Sequence, residues 1–100
     1  MELKQHHHNY VALFTDGRLK IGRTSNIKKR MRYYRGVYHC IEGRAVSPLI
    51  ARFVERNIRE VFAGRTLPGT FEWFDGADKK TLCVFAEMTA RMQDQLEAAL

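Results

Sequence analysis

The sequence contains little of what stabilises secreted or membrane proteins. Its only two cysteines, Cys40 and Cys83, are far apart and do not form a metal or redox motif, so we expect free thiols in a reducing compartment. The apolar runs are short, such as residues 10–14, whereas a transmembrane helix needs about 20 apolar residues. The N-terminus also lacks the apolar segment of a signal peptide. These absences predict a cytoplasmic protein that does not contact a membrane.

Acidic residues are missing where basic ones are densest. The chain of 100 residues has a formal net charge of +6, and residues 18–35 hold eight basic side chains and no acidic one. Such a patch attracts polyanions, and arginine, which dominates it, can bind phosphate with two hydrogen bonds. A solvated helix face is the alternative. The predicted partner is nucleic acid, with DNA favoured over RNA, and its expected contacts are Arg18, Arg23, Lys28, Lys29, Arg32 and Arg35.

The length and composition are ordinary for one globular domain, which we expect to span residues 1–100. Asp16-Gly17 between two apolar runs predicts a β-hairpin. Capping residues at 24–26 precede an apolar stripe of Ile27, Met31 and Tyr34, which predicts a helix. The rest of the chain predicts a strand over 37–46, a helix that is capped by Ser47 and runs from Pro48 to about Ala63, an aromatic element at 71–74 and a helix over about 78–97.

This order, ββαβαα, predicts an α+β domain in which helices flank a small mixed or antiparallel sheet of three strands. Residues 71–74 could add another strand. On the second helix, Phe53 and Val61 belong to the predicted apolar face, Asn57 falls near its centre and Glu55 at its edge. The three histidines at 6–8 are compatible with a strand edge or an unstructured segment, with a metal site, or with an expression tag.

Several short segments resemble the motifs of the GIY-YIG nuclease superfamily, in the phage-associated branch where KIG replaces YIG. Each segment alone is common, whereas their order and spacing together are fairly specific. The resemblance covers about residues 9–75, which would form the motif core of the domain. The matching segments are NYVAL at 9–13, LKIGRT at 19–24, NIKKR at 26–30, Glu55 with Ile58 and Phe62, and EWF at 72–74.

The resemblance implies a phosphodiesterase that depends on Mg²⁺ or Mn²⁺. Tyr10 matches the tyrosine that helps to deprotonate the attacking water, and Lys20 replaces the second tyrosine as an electrostatic helper. Gly22 matches the motif glycine, where the backbone approaches the site. Arg30 matches the arginine that steadies the phosphate's developing charge, and Glu55 matches the carboxylate that holds the metal.

The residue types suit this chemistry. Phosphodiester cleavage adds negative charge at phosphorus, which a guanidinium group and a metal ion stabilise. One carboxylate suffices for Mg²⁺, because the ion keeps several waters and takes phosphate oxygens. Cationic neighbours would also favour the phenolate form of Tyr10. Simpler interpretations are that Tyr10 belongs to the core, that Arg30 covers apolar surface, and that Glu55 forms an ion pair with Arg52, Arg56 or Arg59.

The chain also departs from the family pattern. His8 and Asn9 replace the glycine and isoleucine of the first motif, Thr70-Phe71 displaces a glycine, and Arg59 occupies a position where this branch often has histidine. We therefore expect a small nucleic-acid-binding endonuclease with a GIY-YIG-like fold. The alternatives are a catalytically inactive DNA-binding module of that fold and a phage-encoded factor that binds a host or phage protein.

Overall fold

A computed structural model describes residues 6–69, 73–76 and 79–100 of the chain. It confirms the predicted α+β class and the order of the elements. The structure does not describe residues 1–5, 70–72 and 77–78. Thr70, Phe71 and Glu72, together with the predicted start of the last helix at Asp78, are therefore outside it. The elements are β1 (His8–Phe14), β2 (Leu19–Thr24), α1 (Ile27–Tyr33), β3 (Val37–Glu42), α2 (Pro48–Val61), a 3₁₀ turn (Ala63–Arg65), β4 (Trp73–Phe74) and α3 (Lys79–Ala99).

Strands β1 and β2 form the predicted hairpin around Gly17. This glycine has φ +88°, a left-handed conformation that side chains disfavour. The backbone N–H of Phe14 donates to the Arg18 carbonyl at 2.9 Å and closes the turn. The antiparallel register then places Tyr10 opposite Gly22, and this pairing determines the shape of the candidate site described below.

The sheet is antiparallel with the strand order β3-β1-β2-β4. It therefore has one more strand than the predicted three, because the two residues of β4 pair with β2. Strand β3 is shorter than the predicted 37–46, since the chain leaves the sheet after Glu42. Within residues 43–46, Val46 pairs again, as an isolated bridge to His7.

The two faces of the sheet bury different sets of side chains. On one face Tyr10, Ala12 and Phe14 of β1 pack with Met31 of α1 and with other partly buried residues. On the other face the core is formed by residues of β1 and β2 together with α2 and α3: Val11, Leu13, Leu19, Ile21, Ile50, Val54, Ile58, Leu82 and Phe85. Because successive side chains of a strand point to opposite faces of the sheet, α1 packs on one face and α2 and α3 pack on the other.

Helix α2 begins as predicted but buries a narrower stripe. Ser47 caps it by accepting from the Ile50 backbone N–H at 3.4 Å, and the helix ends at Val61 rather than Ala63. Phe53 and Val61 are 50% and 55% exposed, so the prediction that they face the core is wrong. The sheet and α3 cover only one side of this helix.

Asn57 is likewise not a buried packing amide at the centre of an apolar face. Its side chain, in a half-buried residue, donates to the Phe53 carbonyl of the same helix at 2.7 Å. It lies outside the lining of the cleft described below.

Three polar side chains are almost completely buried close to Gly43. Asn9, Thr89 and Gln93 are each 1% exposed, and polar atoms of all three have no hydrogen-bond partner among the described residues. Gly43 lies beside them, and a Cβ there would be 2.7 Å from the Thr89 methyl group. Each unpartnered group costs on the order of 1–3 kcal/mol, so this side of the domain is not optimised for stability.

Candidate functional site

A cleft of about 540 Å³ opens where the β1–β2 hairpin meets α1 and α2. It brings together the four predicted catalytic and metal-binding residues, Tyr10, Lys20, Arg30 and Glu55, although each comes from a different element. The described residues that line it are His7, Tyr10, Lys20, Gly22, Arg23, Thr24, Ser25, Arg30, Tyr34, Glu55 and Arg59.

Gly22 makes room for the ring of Tyr10. A Cβ at position 22 would be 2.7 Å from the Tyr10 phenol oxygen and 2.8 Å from the ring carbon that bears it. Because real Cβ atoms do not approach other atoms this closely, any side chain at position 22 would displace the ring. Tyr10 itself is only 1% exposed. The phenol is therefore held within the packed face of the sheet, and its oxygen points toward α1.

Tyr34 joins the site although its sequence position predicted only an apolar contact. Its phenol oxygen is 3.2 Å from that of Tyr10, within hydrogen-bond distance. The ammonium group of Lys20 lies 4.7 Å from the centre of the Tyr34 ring and 5.1 Å from that of Trp73. The only available signal was a hydroxyl-bearing residue at the end of an apolar stripe, next to the basic segment.

The surroundings of Tyr34 lower the pKa of its phenol from the ordinary 10.0. Partial burial acts in the opposite direction and raises the pKa, but hydrogen bonds with Lys20 and Tyr10, the charge of Lys20 and a hydrogen bond with Arg30 together outweigh it. Tyr34 is also more exposed than Tyr10. Of the two phenols, Tyr34 is therefore the one better placed to exchange a proton with a bound molecule.

Two guanidinium groups hold the carboxylate of Glu55. Arg23 Nε donates to one carboxylate oxygen at 3.2 Å, and Arg59 Nη2 donates to the other at 2.9 Å. Arg59 Nη2 also donates to the Ile21 carbonyl at 3.1 Å. The Glu55 side chain is 15% exposed. Of the three arginines predicted as possible ion-pair partners of Glu55, Arg59 forms an ion pair with it. Arg23 of β2 forms a second ion pair, which the sequence did not predict.

His7, which directly precedes β1, also contacts Arg23. Its ring Nδ1 lies 2.8 Å from Arg23 Nη1. Burial, followed by the charge of Arg23, lowers the pKa of His7 below its usual 6.5. A neutral imidazole can accept a hydrogen bond from the guanidinium, so His7 and Glu55 fix Arg23 from two sides.

The side chains that line the cleft, in this arrangement, do not suit the binding of a resident divalent cation. No group of three or more potential metal ligands occurs among the described residues. Among the described residues, four cationic side chains and a single carboxylate line the cleft, which gives a net charge of +3 with His7 neutral. Mg²⁺ prefers oxygen ligands, and here both oxygens of the only carboxylate are already bound by arginines.

The sequence comparisons give the family. The chain matches the T5orf172 domain over residues 4–89. The chain therefore belongs to the T5orf172 domain family. This is a phage-associated domain related to nuclease-like folds. No curated protein and no solved structure matches the chain.

The other residues predicted to bind nucleic acid lie at different distances from the cleft of this T5orf172 domain. Arg23 lines the cleft, whereas Lys29 lines an adjoining cavity of about 350 Å³, together with Arg30 and the 79% exposed Tyr33. Arg18 is held at the hairpin by Asp16 at 2.7 Å and lies 4.2 Å from the Trp73 ring centre. The remaining three are exposed and line neither cavity: Lys28, Arg32 and Arg35.

No helix in the described part of this T5orf172 domain is long and apolar enough to cross a membrane.

We expect Gly22→Ala to destabilise the domain by about 1–3 kcal/mol, because the new methyl group overlaps the Tyr10 ring. Chemical denaturation monitored by circular dichroism measures the change. The control is Gly64→Ala, where an added Cβ meets nothing within 4 Å, and it should stay within about 0.5 kcal/mol of wild type. Equal effects of the two substitutions would contradict the assigned contact.

We expect tyrosinate absorbance to show a phenol, that of Tyr34, with a pKa below 10, and Lys20→Gln to shift its titration upward. The control Lys29→Gln should shift it less, since Lys29 does not line the cleft. Because the folded pKa of Tyr34 is lowered, the unfolded state binds more protons between that pKa and 10. The contribution of Tyr34 to the free energy of unfolding therefore grows as the pH rises through this window. Titration of every phenol at its ordinary value would exclude the described environment.

Proposed function

We propose that this domain binds nucleic acid by holding a backbone phosphodiester group in the cleft, with DNA as the preferred substrate. The observation that carries the proposal is the convergence of Lys20, Arg23, Arg30 and Arg59 around one cavity with a net positive lining. Family membership supports it, because the T5orf172 domain is related to nuclease-like folds.

The chemistry of the lining matches a phosphate better than a neutral ligand. Guanidinium and ammonium groups make charge-assisted hydrogen bonds to phosphate oxygens, and the phenol of Tyr34 is a further donor on the same side. The adjoining cavity continues the basic surface along α1, where Lys29 and Tyr33 lie. A strand whose phosphate occupies the cleft can therefore place its neighbouring nucleotide beside an exposed aromatic ring.

We expect Arg30→Gln to weaken the binding of a labelled oligonucleotide about five- to tenfold, because it removes a charge that faces the phosphate. Fluorescence anisotropy at several salt concentrations provides the measurement, and the slope of log affinity against log salt should become shallower by about one unit. The matched control is Arg91→Gln on α3, an exposed arginine paired with Glu87 at 2.8 Å. It removes the same charge from a residue that does not line the cleft and should change affinity less than about twofold.

The proposal fails if the wild-type protein binds neither DNA nor RNA at low salt. It also fails if the two arginine substitutions weaken binding equally, since the cleft would then contribute no more than any other positive surface.

A second candidate function is phosphodiester hydrolysis of the GIY-YIG type. It is favoured by the arrangement of the matched residues, because Tyr10, Lys20, Arg30 and Glu55 all line the same cleft. Arg30 and Lys20 could stabilise the charge that develops on the phosphate. Tyr34, with its lowered phenol pKa, could take a proton from the attacking water. The Mg²⁺ or Mn²⁺ implied by the resemblance would have Glu55 as its ligand. The ion pairs with Arg23 and Arg59 disfavour such coordination, because they already engage both carboxylate oxygens.

Hydrolysis predicts nicking of supercoiled plasmid that requires Mg²⁺ or Mn²⁺ and disappears in Arg30→Ala and Glu55→Ala while both variants remain folded. Gel electrophoresis measures the nicked fraction, and chelation provides the control for each lane. If plasmid, single-stranded DNA and RNA all remain intact with either metal, hydrolysis is rejected, whereas the binding proposal is unaffected.

A further inference from the structure

The carboxylate of Glu55 is the single acidic group among the described residues that line the cleft, and its side chain is partly buried. Each of its oxygens accepts from a different arginine, at 3.2 Å from Arg23 and 2.9 Å from Arg59. These arginines come from different elements, β2 and α2. Glu55 therefore connects β2 and α2 across the cleft through its ion pairs with the two guanidinium groups.

Both arginines are also fixed at a second point. Arg59 donates to the Ile21 carbonyl at 3.1 Å, and Arg23 lies 2.8 Å from the ring nitrogen of His7. A free arginine side chain loses rotamer entropy when it binds a phosphate. Side chains that are already held in place lose less, so the cluster preorganises two cations for an incoming anion.

We infer that Glu55 is a positioning residue, which holds the guanidinium groups of Arg23 and Arg59 so that the cleft binds a nucleic-acid phosphate without a divalent cation. This inference rests on the proposed binding function and goes beyond it by assigning a different role to the carboxylate. The cleft charge of +3 repels a dication and attracts a phosphate. Arg59 occupies the second carboxylate oxygen that a metal ion would otherwise approach.

The sign of one substitution distinguishes the possible roles of Glu55. Removing a negative charge from a nucleic-acid-binding surface ordinarily tightens binding. If Glu55 positions the arginines, Glu55→Gln weakens binding about fivefold even though it makes the protein more positive. The matched control is Glu60→Gln, an exposed carboxylate on the same helix that does not line the cleft, and it should leave affinity unchanged or tighten it by less than about twofold.

Fluorescence anisotropy of a labelled oligonucleotide, with EDTA or with Mg²⁺ at matched ionic strength, measures both variants. We expect wild-type affinity to be the same in both buffers and Glu55→Gln to be weaker in both. Arg59→Gln should also weaken binding. Combining it with Glu55→Gln should weaken binding by less than the product of the two separate effects, because part of the effect of Glu55 is exerted through Arg59. Circular dichroism establishes that each variant is folded.

Electron paramagnetic resonance of Mn²⁺ added to the wild-type protein tests the metal directly and needs no variant. We expect no stoichiometric binding in the absence of nucleic acid. Stoichiometric Mn²⁺ binding, loss of oligonucleotide affinity in EDTA, or tighter binding by folded Glu55→Gln would each overturn the inference while leaving the binding proposal intact. Failure of the wild-type protein to bind any oligonucleotide in either buffer would overturn both.

Discussion

The close contact between the Tyr10 ring and the backbone of Gly22 is the constraint on which the site depends. It exists because the hairpin register pairs these two positions and because position 22 has no side chain. The ring then lies across β2 and brings its oxygen to within 3.2 Å of the Tyr34 phenol. Tyr34 in turn interacts with Lys20, so the position of the Tyr10 ring also affects the surroundings of that ammonium group. The absence of a side chain at position 22 thus allows Tyr10, Tyr34 and Lys20 to come together.

A sequence can predict such a site only where local rules determine it. The Asp-Gly turn specifies the hairpin, and alternation along its strands places Lys20 and Gly22 on one face. Capping residues and apolar spacing locate the helices that carry Arg30 and Glu55. These are short-range features, so they predict the fold class without coordinates. The grouping of the matched residues in one cleft was implied by the resemblance to the GIY-YIG motifs and not by these local rules.

The contacts that modify this arrangement are long-range and could not be predicted. Arg23 and Glu55 are 32 positions apart in sequence, and no periodicity indicates that they pair. Tyr34 could not be separated from a core aromatic because the same helical stripe accounts for both roles. The exposure of Phe53, like the burial of Gln93, depends on which side of each helix the rest of the domain covers, and hydrophobic spacing alone overestimates the width of a buried stripe.

The balance of charge in the cleft explains why similar motifs need not give the same chemistry. A carboxylate among neutral groups attracts a divalent cation, whereas one bonded to two guanidinium groups has its charge already compensated. Replacing either arginine by a neutral residue would reduce the cleft charge and uncover one carboxylate oxygen. The same Tyr, Lys, Arg and Glu residues could then surround a metal ion. In this chain Arg59, one helical turn after Glu55, pairs with that carboxylate and adds a positive charge to the cleft.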